Sequence, residues 1–391
     1  MSRRSRGALV VLVVAFLCLF QFRSFDPKFS AVSVVNGTTI TRTTVSTDTG
    51  GIHACDLELC SGGRGGSLYN NSDRRVTAFV HSSHGVGQLL NVVNSGVSVA
   101  LSSNRSLVLH FDPRHEMQGE LHGGTIHQWL QFFGFTRKHL PFELLRNSTG
   151  PLQGPGHSSD EICTDLNYTH SSTIHVNGTI CHTMTSDTVC FWRNMYWNKQ
   201  EDTNSESSSH LFRNATSGIH VAVHIRQGDI YRSKSWLDRR VGFDYFEGVI
   251  SKVLKALNQT FPEKKVFVRV YSNGGRRGPT TATIVRDFLS TFLPLSQTSI
   301  HMQNSDLTIF HDLADMIQSD IFIGSKSQLS MAVASVGRGV SILPHWPGFV
   351  LKVDEELQDI IEVDSEQLGV DLDQTLFLKR VKQRLSCRDS N

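Results

Sequence analysis

The stretch HVAVHIRQGDIY, residues His220–Tyr231, has the pattern of a buried strand that runs into polar residues. Side chains on a strand alternate between its two faces. One face receives the apolar residues Val221, Val223 and Ile225. The opposite face receives His220, Ala222, His224 and Arg226. His224 and Arg226 therefore emerge together at the carboxyl end of the strand, which is the edge where open α/β sheets bind their ligands.

Three residues of this stretch suit an anionic ligand. The planar guanidinium of Arg226 can bind two phosphate oxygens at once, and Gly228 lets a phosphate approach the backbone closely. Asp229 can orient Arg226 or cap the turn that follows. The alternative is an ordinary strand end that forms a salt bridge. A fragment of this kind, taken alone, is more often structural than catalytic.

The sequence around this stretch alternates strands with helices. Strands are predicted at 219–225, 266–271, 299–302, 320–323 and 340–343, and helices at 244–257, 281–292, 307–318 and 328–336. Five strands separated by helices predict a doubly wound parallel sheet. Upstream, a βαβ unit is predicted, with strands at 76–80 and 106–110 and a helix at 88–101. We therefore expect an α/β protein with two Rossmann-like domains facing a cleft.

A second segment, DLADMIQSDIFIGSKSQLS at 312–330, predicts a helix, a buried strand and a serine-rich turn that opens another helix. Backbone N–H groups and hydroxyls at a helix N-terminus form an anion site. Ser325, Ser327 and Gln328 could hold phosphates there, although either serine could equally be a helix cap. Asp312 is most simply a helix-start residue that complements the helix dipole.

A third segment joins GVGQLLN at 85–91 to NRSLVL at 104–109. Gly85 and Gly87 give GxG, but residue 90 is Leu, so the dinucleotide fingerprint GxGxxG is incomplete and NAD use is not supported. The chain also lacks GxxxxGK[ST], which disfavours a kinase or a sulfotransferase.

Taken in order, the three segments resemble the superfamily of α1,2-, α1,6- and protein O-fucosyltransferases. HIRQGD is similar to its HxRxxD motif. GVGQLLN with NRSLVL resembles its N-terminal G-x-x-N-Q segment and the N-R-x-L strand that follows. DIFIGSKSQLSMAVA resembles its third motif, a strand followed by a serine-rich turn. The resemblance extends over roughly residues 76–345 and is carried by the motifs.

This resemblance implies a GT-B type fold in which the C-terminal domain binds most of GDP-fucose. The implied reaction is an inverting, metal-independent transfer of fucose to a glycan or glycoprotein acceptor, with no cofactor. The acceptor would enter from the N-terminal domain near residues 84–88.

The same resemblance assigns roles to residues. Arg226 would bind the β-phosphate and stabilise the leaving GDP, with His224 and Asp229 as the other candidate catalytic residues. His224 would also support the nucleotide and pyrophosphate, and Asp312 would contact guanine. The remaining candidate nucleotide-binding residues are Ser325, Ser327, Gln328, Gly228, Gly85 and Gly87.

Two positions depart from the family pattern. Gly-Gln replaces the usual Asn-Gln in the first motif, and the predicted strand at 266–271 runs into Ser272-Asn273-Gly274 where relatives commonly carry Ser-Asp-Asp. Because of these differences, the resemblance does not determine the class of acceptor or the sugar of the donor. Asp229 and Asp244 are the candidate general bases. The triplet Asp371-Leu372-Asp373 is similar to a metal-binding DxD, but its late position favours an acidic surface turn.

The N-terminus predicts a membrane anchor. Three arginines precede an apolar run from Gly7 to Phe20, which favours a cytoplasmic N-terminus. The run is shorter than the roughly 20 residues of a typical spanning helix. A cleaved signal peptide is the alternative, but the bulky residues 18–25 favour an uncleaved signal-anchor. The expected organisation is a tail at 1–6, an anchor at 7–25, a Ser/Thr/Gly-rich stem at 26–73, an N-terminal domain at 74–215, a C-terminal domain at 216–350 and an extension at 351–391.

Two features fit a luminal protein. Sequons begin at Asn36, Asn70, Asn104, Asn147, Asn167, Asn177, Asn214 and Asn258. Of the seven cysteines, all but Cys18 lie beyond the apolar run, which suggests disulfides, with Cys55 and Cys60 as the natural local pair and free buried thiols as the alternative. The C-terminus carries no KDEL-type signal, so a single-pass type II protein of the Golgi membrane is expected.

Composition narrows the function classes further. The chain has 391 residues and a net charge of +2, so nucleic acid is not an expected partner. Residues 163–200 are Cys-rich, and no helix or strand is predicted there. The polar residues 199–209 predict a loop or linker. No pattern in the sequence specifies an oligomeric state. Two rival functions remain, a transferase for another nucleotide sugar and a non-catalytic Golgi protein that binds carbohydrate or acts as a scaffold.

Overall fold

A computed structural model of the chain describes residues 32–36, 60, 75–80, 86–103, 105–111, 126–135, 142–144, 171–177, 183–202, 218–226, 239–272, 287–288, 290, 298–302, 309–346, 350–352, 359–365 and 372–389. The predicted anchor at 7–25 and the candidate residues Gly85, Gly228 and Asp229 lie outside these ranges. Within them, no helix has the length and apolar character needed to cross a bilayer.

The N-terminal sheet has five strands, in the order β1-β5-β2-β3-β4. They are β1 (Val32–Asn36), β2 (Arg75–Val80), β3 (Ser106–Phe111), β4 (Phe142–Leu144) and β5 (Ser171–Asn177). Helix α1 (Val86–Ser103) connects β2 to its parallel neighbour β3, which confirms the predicted βαβ unit, and α2 (Ile126–Phe132) follows. Strand β1 falls within the predicted stem. Its valine-rich sequence suits a strand, and it pairs antiparallel with β5 at one edge of the sheet.

Helix α1 packs very closely on this sheet. A Cβ atom on Gly96 would lie 2.9 Å from Ala78 Cβ and 2.9 Å from Leu107 Cδ1, which belong to β2 and β3. The absence of a side chain at Gly96 therefore brings the helix axis close to the two strands. The apolar face of α1 completes this core with Val92, Val93, Val97 and Ala100, all fully or almost fully buried.

The Cys-rich segment contains an ordered helix. Strand β6 (Thr183–Thr185) leads into α3 (Ser186–Asp202), so the first residues of the predicted linker at 199–209 are helical. Cys190 on α3 forms a disulfide with Cys60, with 5.4 Å between the Cα atoms. The predicted pairing of Cys55 with Cys60 is therefore wrong, because the fold brings a cysteine 130 residues away next to Cys60. Cys387 is also disulfide-bonded.

The C-terminal sheet is wholly parallel and has the order β13-β11-β10-β7-β8-β9. Its strands are β7 (Gly218–His224), β8 (Lys265–Ser272), β9 (Thr298–Met302), β10 (Ile321–Ile323), β11 (Val340–Pro344) and β13 (Ile360–Val363), while β12 (Val350–Lys352) pairs with β6. Its helices are α4 (Phe243–Thr260), α5 (Ile309–Gln318), α6 (Gln328–Val336) and α7 (Gln374–Asp389). The predicted doubly wound sheet is confirmed, and α6 has the predicted bounds.

The predicted extension at 351–391 contributes to this half of the molecule. Strand β13 extends the sheet beside β11, and α7 buries Phe377, Val381 and Leu385 in the core that α4 also lines. Near the end of α7, Arg388 Nη1 donates to Asp320 Oδ2 at 2.6 Å and to the Gly218 carbonyl at 2.8 Å. At its start, Asp373 Oδ1 accepts from the backbone N–H groups of Thr375 and Leu376.

Helix α3 also joins the two halves of the chain. Trp192 Nε1 donates to Asn94 Oδ1 on α1 at 3.0 Å, and Trp197 Nε1 donates to the Val336 carbonyl on α6 at 2.9 Å. Arg193 forms a 2.6 Å ion pair with Asp359 beside β13. Burial raises the pKa of Asp359 above its ordinary value, and Arg193 opposes that shift. One apolar cluster consequently runs from the N-terminal sheet to α5 and α6.

Candidate functional site

The order of the C-terminal sheet fixes where a ligand can bind. Strands β7 and β10 are neighbours, but β7 is followed in the chain by β8 on one side and β10 by β11 on the other. This reversal is a topological switch point, and it opens a crevice beyond the carboxyl ends of the two strands. His224 ends β7, and Gly324 and Ser325 follow β10. The chain thus places two of its predicted motifs at one crevice.

The predicted alternation of β7 is confirmed. Val221, Val223 and Ile225 belong to the core on the α4 side of the sheet, and Ala222 belongs to the opposite core. His220 is away from the crevice, since its ring stacks on Phe267 with 5.4 Å between centroids. The His220 backbone N–H donates to Asp320 Oδ2 at 2.9 Å. His220 therefore has a structural role, whereas His224 reaches the carboxyl edge.

His224 and two serines form a buried polar cluster at the switch point. His224 Nδ1 lies 2.8 Å from Ser330 Oγ and 3.4 Å from Ser325 Oγ. The Ser325 backbone N–H donates to Ser330 Oγ at 3.0 Å. Ser330 is fully buried and holds the turn after β10 against the imidazole. Sequence reasoning missed Ser330. The signal that could have identified it is its position in the first turn of α6, two residues after Gln328.

The His224 imidazole is neutral in this environment. Burial lowers its pKa to about 3, and the neighbouring charge of Arg226 lowers it further in the same direction. A neutral imidazole has one nitrogen that donates and one that accepts. His224 can therefore hold a hydroxyl on one side and a ligand atom on the other, without adding a charge to the site.

Arg226 lies where the strand leaves the sheet. The Ile225 N–H donates to the Tyr271 carbonyl at 2.9 Å, which continues the β7–β8 ladder as far as this point. Arg226 follows directly and is half-buried. Its guanidinium therefore brings a positive charge to the edge where His224 and the serines meet, with part of the side chain open to solvent.

The turn between β10 and α6 is tightly constrained. A Cβ atom on Gly324 would lie 2.5 Å from Leu343 Cδ2 and 3.0 Å from Ser330 Cβ. Ser327 is the N-cap of α6, because its Oγ accepts from the Leu329 N–H at 3.1 Å. That bond leaves the hydroxyl proton of Ser327 available to a ligand. Gln328 is the first residue of α6 and is half-buried.

Asp312 lies in the first turn of α5, as the sequence predicts. Helix α5 leads into β10 through Ser319 and Asp320, so its N-terminus faces the carboxyl edge of the sheet. Burial raises the pKa of Asp312 to about 6, and the charge of Asp315 acts in the same direction. A carboxylate with a raised pKa at this edge of the sheet is a candidate functional residue.

A buried ion pair anchors helix α5 one turn after Asp312. Asp315, one turn further along α5, accepts from Arg269 Nη1 at 2.7 Å and from the Tyr271 hydroxyl at 3.2 Å. Burial raises the pKa of Tyr271 strongly, so its hydroxyl stays protonated. Sequence reasoning missed these residues. The available signal was the placement of Arg269 and Tyr271 on the same face of β8, where each is the cross-strand partner of a residue on the His224 face of β7.

A cavity lies beside this edge, between the two halves of the chain. Its lining includes Gln328, Met331 and Ser335 from one face of α6, Asn91 and Asn94 from α1, and Trp192 from α3. Asn91 is only 6% exposed. Asn91 Nδ2 has no hydrogen-bond partner among the described residues. Neither asparagine was identified from the sequence as a site residue.

The structure thus brings together His224 and Ser325, with Arg226, Ser327 and Gln328 at the same edge and Asp312 on the adjoining helix. Gly87 is the second residue of α1. Asp244, one candidate general base, is exposed in the first turn of α4. The other, Asp229, lies outside the described residues together with Gly85 and Gly228.

No protein-family model matches the sequence, and no curated protein matches it. Among solved structures, a NodZ α-1,6-fucosyltransferase soaked with GDP-fucose is similar, with a TM-score of 0.29, 14% identity and coverage of 68% of this chain and 93% of that one. A glycosyl transferase family 9 protein from Veillonella parvula has a TM-score of 0.38 and 9% identity, and covers 82% and 97%.

An α,α-trehalose-phosphate synthase (UDP-forming) from Burkholderia vietnamiensis has a TM-score of 0.25 and 14% identity, over 49% of this chain. The chain spans 44% of that protein's length. All three TM-scores are below 0.5, so these similarities add no functional assignment to the residues of this chain.

Proposed function

We propose that this chain is a glycosyltransferase of the GT-B type, which transfers fucose from GDP-fucose to a glycan or glycoprotein acceptor with inversion and without a metal ion. The observation that carries the proposal is the convergence of His224, Ser325 and Ser330 at the switch point, with Arg226 at the same edge. Two separate sequence motifs, HIRQGD and GSKSQLS, supply these residues.

The chemistry of the cluster suits a pyrophosphate. Hydroxyls and backbone N–H groups at the start of α6 can donate to phosphate oxygens, and Arg226 can bind two of them through its planar fork. A neutral His224 can donate one further hydrogen bond. Its low pKa makes it a poor base near neutral pH, so we assign it to binding rather than to proton transfer.

In the proposed reaction, an acceptor hydroxyl attacks the anomeric carbon of the sugar from the face opposite the phosphate. The bond between that carbon and the β-phosphate oxygen breaks, and GDP leaves with the electron pair. Arg226 stabilises the negative charge that develops on the leaving group, which is the largest catalytic effect available at this site. The hydroxyl proton passes to a base, for which Asp229 remains the proposed residue.

Asp312 is proposed to bind the nucleotide base. With a pKa of about 6 it is mostly ionised above neutral pH, and a carboxylate can accept two parallel N–H bonds. Guanine offers such a pair of donors on one edge. The ion pair of Asp315 with Arg269 keeps α5 against β8, and so holds Asp312 at the edge of the sheet.

The cellular setting is also a proposal. The apolar run and its basic flank support a type II protein anchored in the Golgi membrane through residues 7–25, with the remainder in the lumen. The disulfide between Cys60 and Cys190 fits an oxidising compartment. The departure at Ser272-Asn273-Gly274 supports one alternative, a transferase for another nucleotide sugar. A non-catalytic carbohydrate-binding protein is the other.

Donor selectivity of the full chain tests the proposal. Binding and slow hydrolysis are measured for GDP-fucose, GDP-mannose and several UDP-sugars, with and without added divalent metal. We expect GDP-fucose alone to bind and to be hydrolysed without metal, and Arg226→Ala to slow hydrolysis roughly a hundred- to thousandfold. Glu247→Gln, an exposed position on α4, is the control and should behave as wild type.

The other outcomes favour the two alternative functions. Preference for a UDP-sugar or a requirement for metal contradicts the donor and the mechanism. Binding of no nucleotide sugar, with Arg226→Ala indistinguishable from wild type in every assay, would establish the non-catalytic alternative.

A further inference from the structure

Two pairs of an arginine and a tryptophan lie at opposite ends of strand β11. Arg338 precedes β11 at the amino edge of the sheet, and its Cζ lies 4.2 Å from the centre of the Trp197 ring. Trp346 follows β11 at the carboxyl edge, where the Cζ of Arg239 lies 5.2 Å from the centre of its ring. Of these two pairs, the second shares its edge with Arg226.

We propose that Arg239, held in place by the Trp346 indole, is a second phosphate-binding residue of the nucleotide edge and acts with Arg226 on the diphosphate of the donor. This inference rests on the proposed function and deepens it, because it assigns a binding residue that lies in none of the three sequence motifs.

The order of the sheet brings Arg239 to this edge. Strand β7 ends at His224, and α4, which begins at Phe243, leads back to the amino end of the parallel neighbour β8. The N-terminus of α4 therefore lies at the carboxyl edge, and Arg239 shortly precedes it. In the sheet, β10 lies between β7 and β11. The contact of Arg239 with Trp346 thus joins the chain segments on either side of β10, the strand that leads into Ser325.

The Trp346 indole gives Arg239 a fixed support. Trp346 is 3% exposed and belongs to the apolar cluster that includes residues of α5 and α6, while Arg239 is half-buried. A cation over an indole is attracted by the π electrons of the ring, and this attraction does not use the N–H donors of the guanidinium. An arginine held in this way loses less conformational freedom when an anion binds to it.

Charge makes the diphosphate the ligand of this second guanidinium. A diphosphate carries more than one negative charge, and the proposed reaction uses no metal ion to balance them. Side chains must then supply the cations, as arginine and lysine clamps do at transferring phosphoryl groups. Arg226 supplies one guanidinium and Arg239 a second, and the planar fork of each matches phosphate oxygens.

The pair at the other end of β11 shows the same contact in a structural role. Trp197 Nε1 donates to the Val336 carbonyl at 2.9 Å, so the Arg338 pair connects α3 to the end of α6, away from the carboxyl edge. Loss of the guanidinium from either pair removes one cation–π contact. Phosphate affinity should depend on Arg239 and not on Arg338.

The variant Arg239→Gln in the full chain tests the assignment. Calorimetry gives the Kd of GDP, GMP, UDP and inorganic pyrophosphate. Loss of a charge-assisted bond to phosphate should raise the Kd of GDP roughly ten- to hundredfold. Arg239→Lys keeps the charge without the planar fork and should recover part of this loss. Trp346→Phe leaves a weaker aromatic support and should give an intermediate Kd.

Arg338→Gln is the matched control and should leave the Kd of GDP within about twofold of wild type. Weakening of both GDP and GMP by Arg239→Gln would assign Arg239 to the α-phosphate, and weakening of GDP alone would assign it to the β-phosphate. The inference is overturned if Arg239→Gln lowers the melting temperature while GDP and pyrophosphate bind as in wild type. Equal weakening by Arg338→Gln also overturns it, because the effect would then come from the fold.

These outcomes are separable from a failure of the proposed function. A wild-type chain that binds UDP but not GDP contradicts the proposed donor, and the same variants measured with UDP still decide the role of Arg239. A wild-type chain that binds pyrophosphate but no nucleotide contradicts the nucleotide-sugar proposal, and pyrophosphate then serves as the probe. Binding of none of the four ligands overturns both.

Discussion

The two sheets of this molecule place their buried polar groups differently. In the C-terminal half, one cluster of them lies at the carboxyl edge of the sheet, where His224 ends β7, Ser325 follows β10 and Ser330 lies in the first turn of α6. In the described part of the N-terminal half, Asn91 and Asn94 lie on helix α1 and line the interdomain cavity. The strands of that half bury mainly aliphatic side chains.

This difference separates a candidate binding edge from a packed core. The C-terminal edge offers a guanidinium, hydroxyls and helix N–H groups, which suit phosphate. The amides of α1 are enclosed between helices, where Asn94 accepts from Trp192, and they belong to the packing of that half. With the proposed function, the comparison predicts that damage to the C-terminal edge lowers nucleotide affinity or turnover, whereas damage to the N-terminal core lowers stability and leaves nucleotide affinity intact.

The largest effect is expected at Arg226. Arg226→Ala should lower kcat for transfer or donor hydrolysis roughly a hundred- to thousandfold, because the leaving phosphate loses a preorganised charge. Arg226→Lys keeps the charge but loses the planar fork, so it should recover only part of this loss. Single-turnover rates at saturating GDP-fucose measure both variants. Equal rates for Ala, Lys and wild type would remove Arg226 from the chemistry and weaken the contrast between the halves.

A smaller effect is expected at Ser330. Ser330→Ala removes the hydroxyl that bonds both His224 Nδ1 and the Ser325 N–H, so the Kd of GDP should rise about tenfold. Ser335→Ala is a matched control on the same helix, since its hydroxyl bonds Met331 and Met184 away from the cluster. Titration calorimetry compares the two. Equal weakening by both variants would mean that the helix, rather than the cluster, controls affinity.

The sequence predicts five of the six strands of the C-terminal sheet, because their local patterns are clear, but it does not predict β13, which lies in the predicted extension. Strand β7 shows alternation, and β10 is a short apolar run between a helix and a serine-rich turn. Helix α6 is bounded by Ser327, whose cap bond is local, and by Gly337. Parallel strands that are buried on both faces appear in the sequence as short apolar runs, and the helices between them appear as apolar residues at helical spacing.

The parts that escaped prediction depend on contacts across the fold. Helix α3 packs against both halves, so Trp192 and Trp197 point to different partners and its apolar residues do not form one stripe. The partner of Cys60 is set by the same helix. Asp315 and Arg269 are 46 residues apart, and the segment at 312–330 that contains Asp315 gives no indication of this partner. At the candidate site, the motif residues were identified from the sequence, whereas Ser330, Asp315 and Arg269, which contact or support them, were missed.

A mutation in the N-terminal core tests the prediction that this half affects stability and leaves nucleotide affinity unchanged. Gly96→Ala forces a methyl group to within 2.9 Å of Ala78 and Leu107, which should cost about 1–3 kcal/mol through overpacking, partly offset by the better helix propensity of Ala. Chemical denaturation measures the loss. The Kd of GDP, measured well below the melting temperature, should not change. A parallel loss of GDP affinity would show that the two halves do not act separately.

The smallest effect concerns Asp312 and has opposite signs for stability and binding. Its pKa is about 6 in the folded protein, against 3.8 ordinarily, so between these values the folded state binds more protons than the unfolded one. The free energy of unfolding must therefore fall as pH rises through this window and stay lower above it. Asp312→Asn removes this dependence, so the variant should gain about 1 kcal/mol on wild type at neutral pH. Solvent access to the half-buried carboxylate keeps the gain below what the pKa difference alone gives.

Denaturation of Asp312→Asn and wild type at about pH 4 and about pH 7.5 measures this gain, which should appear only at the higher pH. The same substitution should weaken GDP, because the amide accepts from guanine through one oxygen and loses the charge. Glu247→Gln on the exposed face of α4 controls for the removal of a carboxylate. A stabilised protein that binds GDP less tightly would mean that Asp312 is kept for its ligand at a cost in stability. A destabilised one would mean that the carboxylate serves the fold of α5, and the nucleotide edge would then end at the His224 cluster.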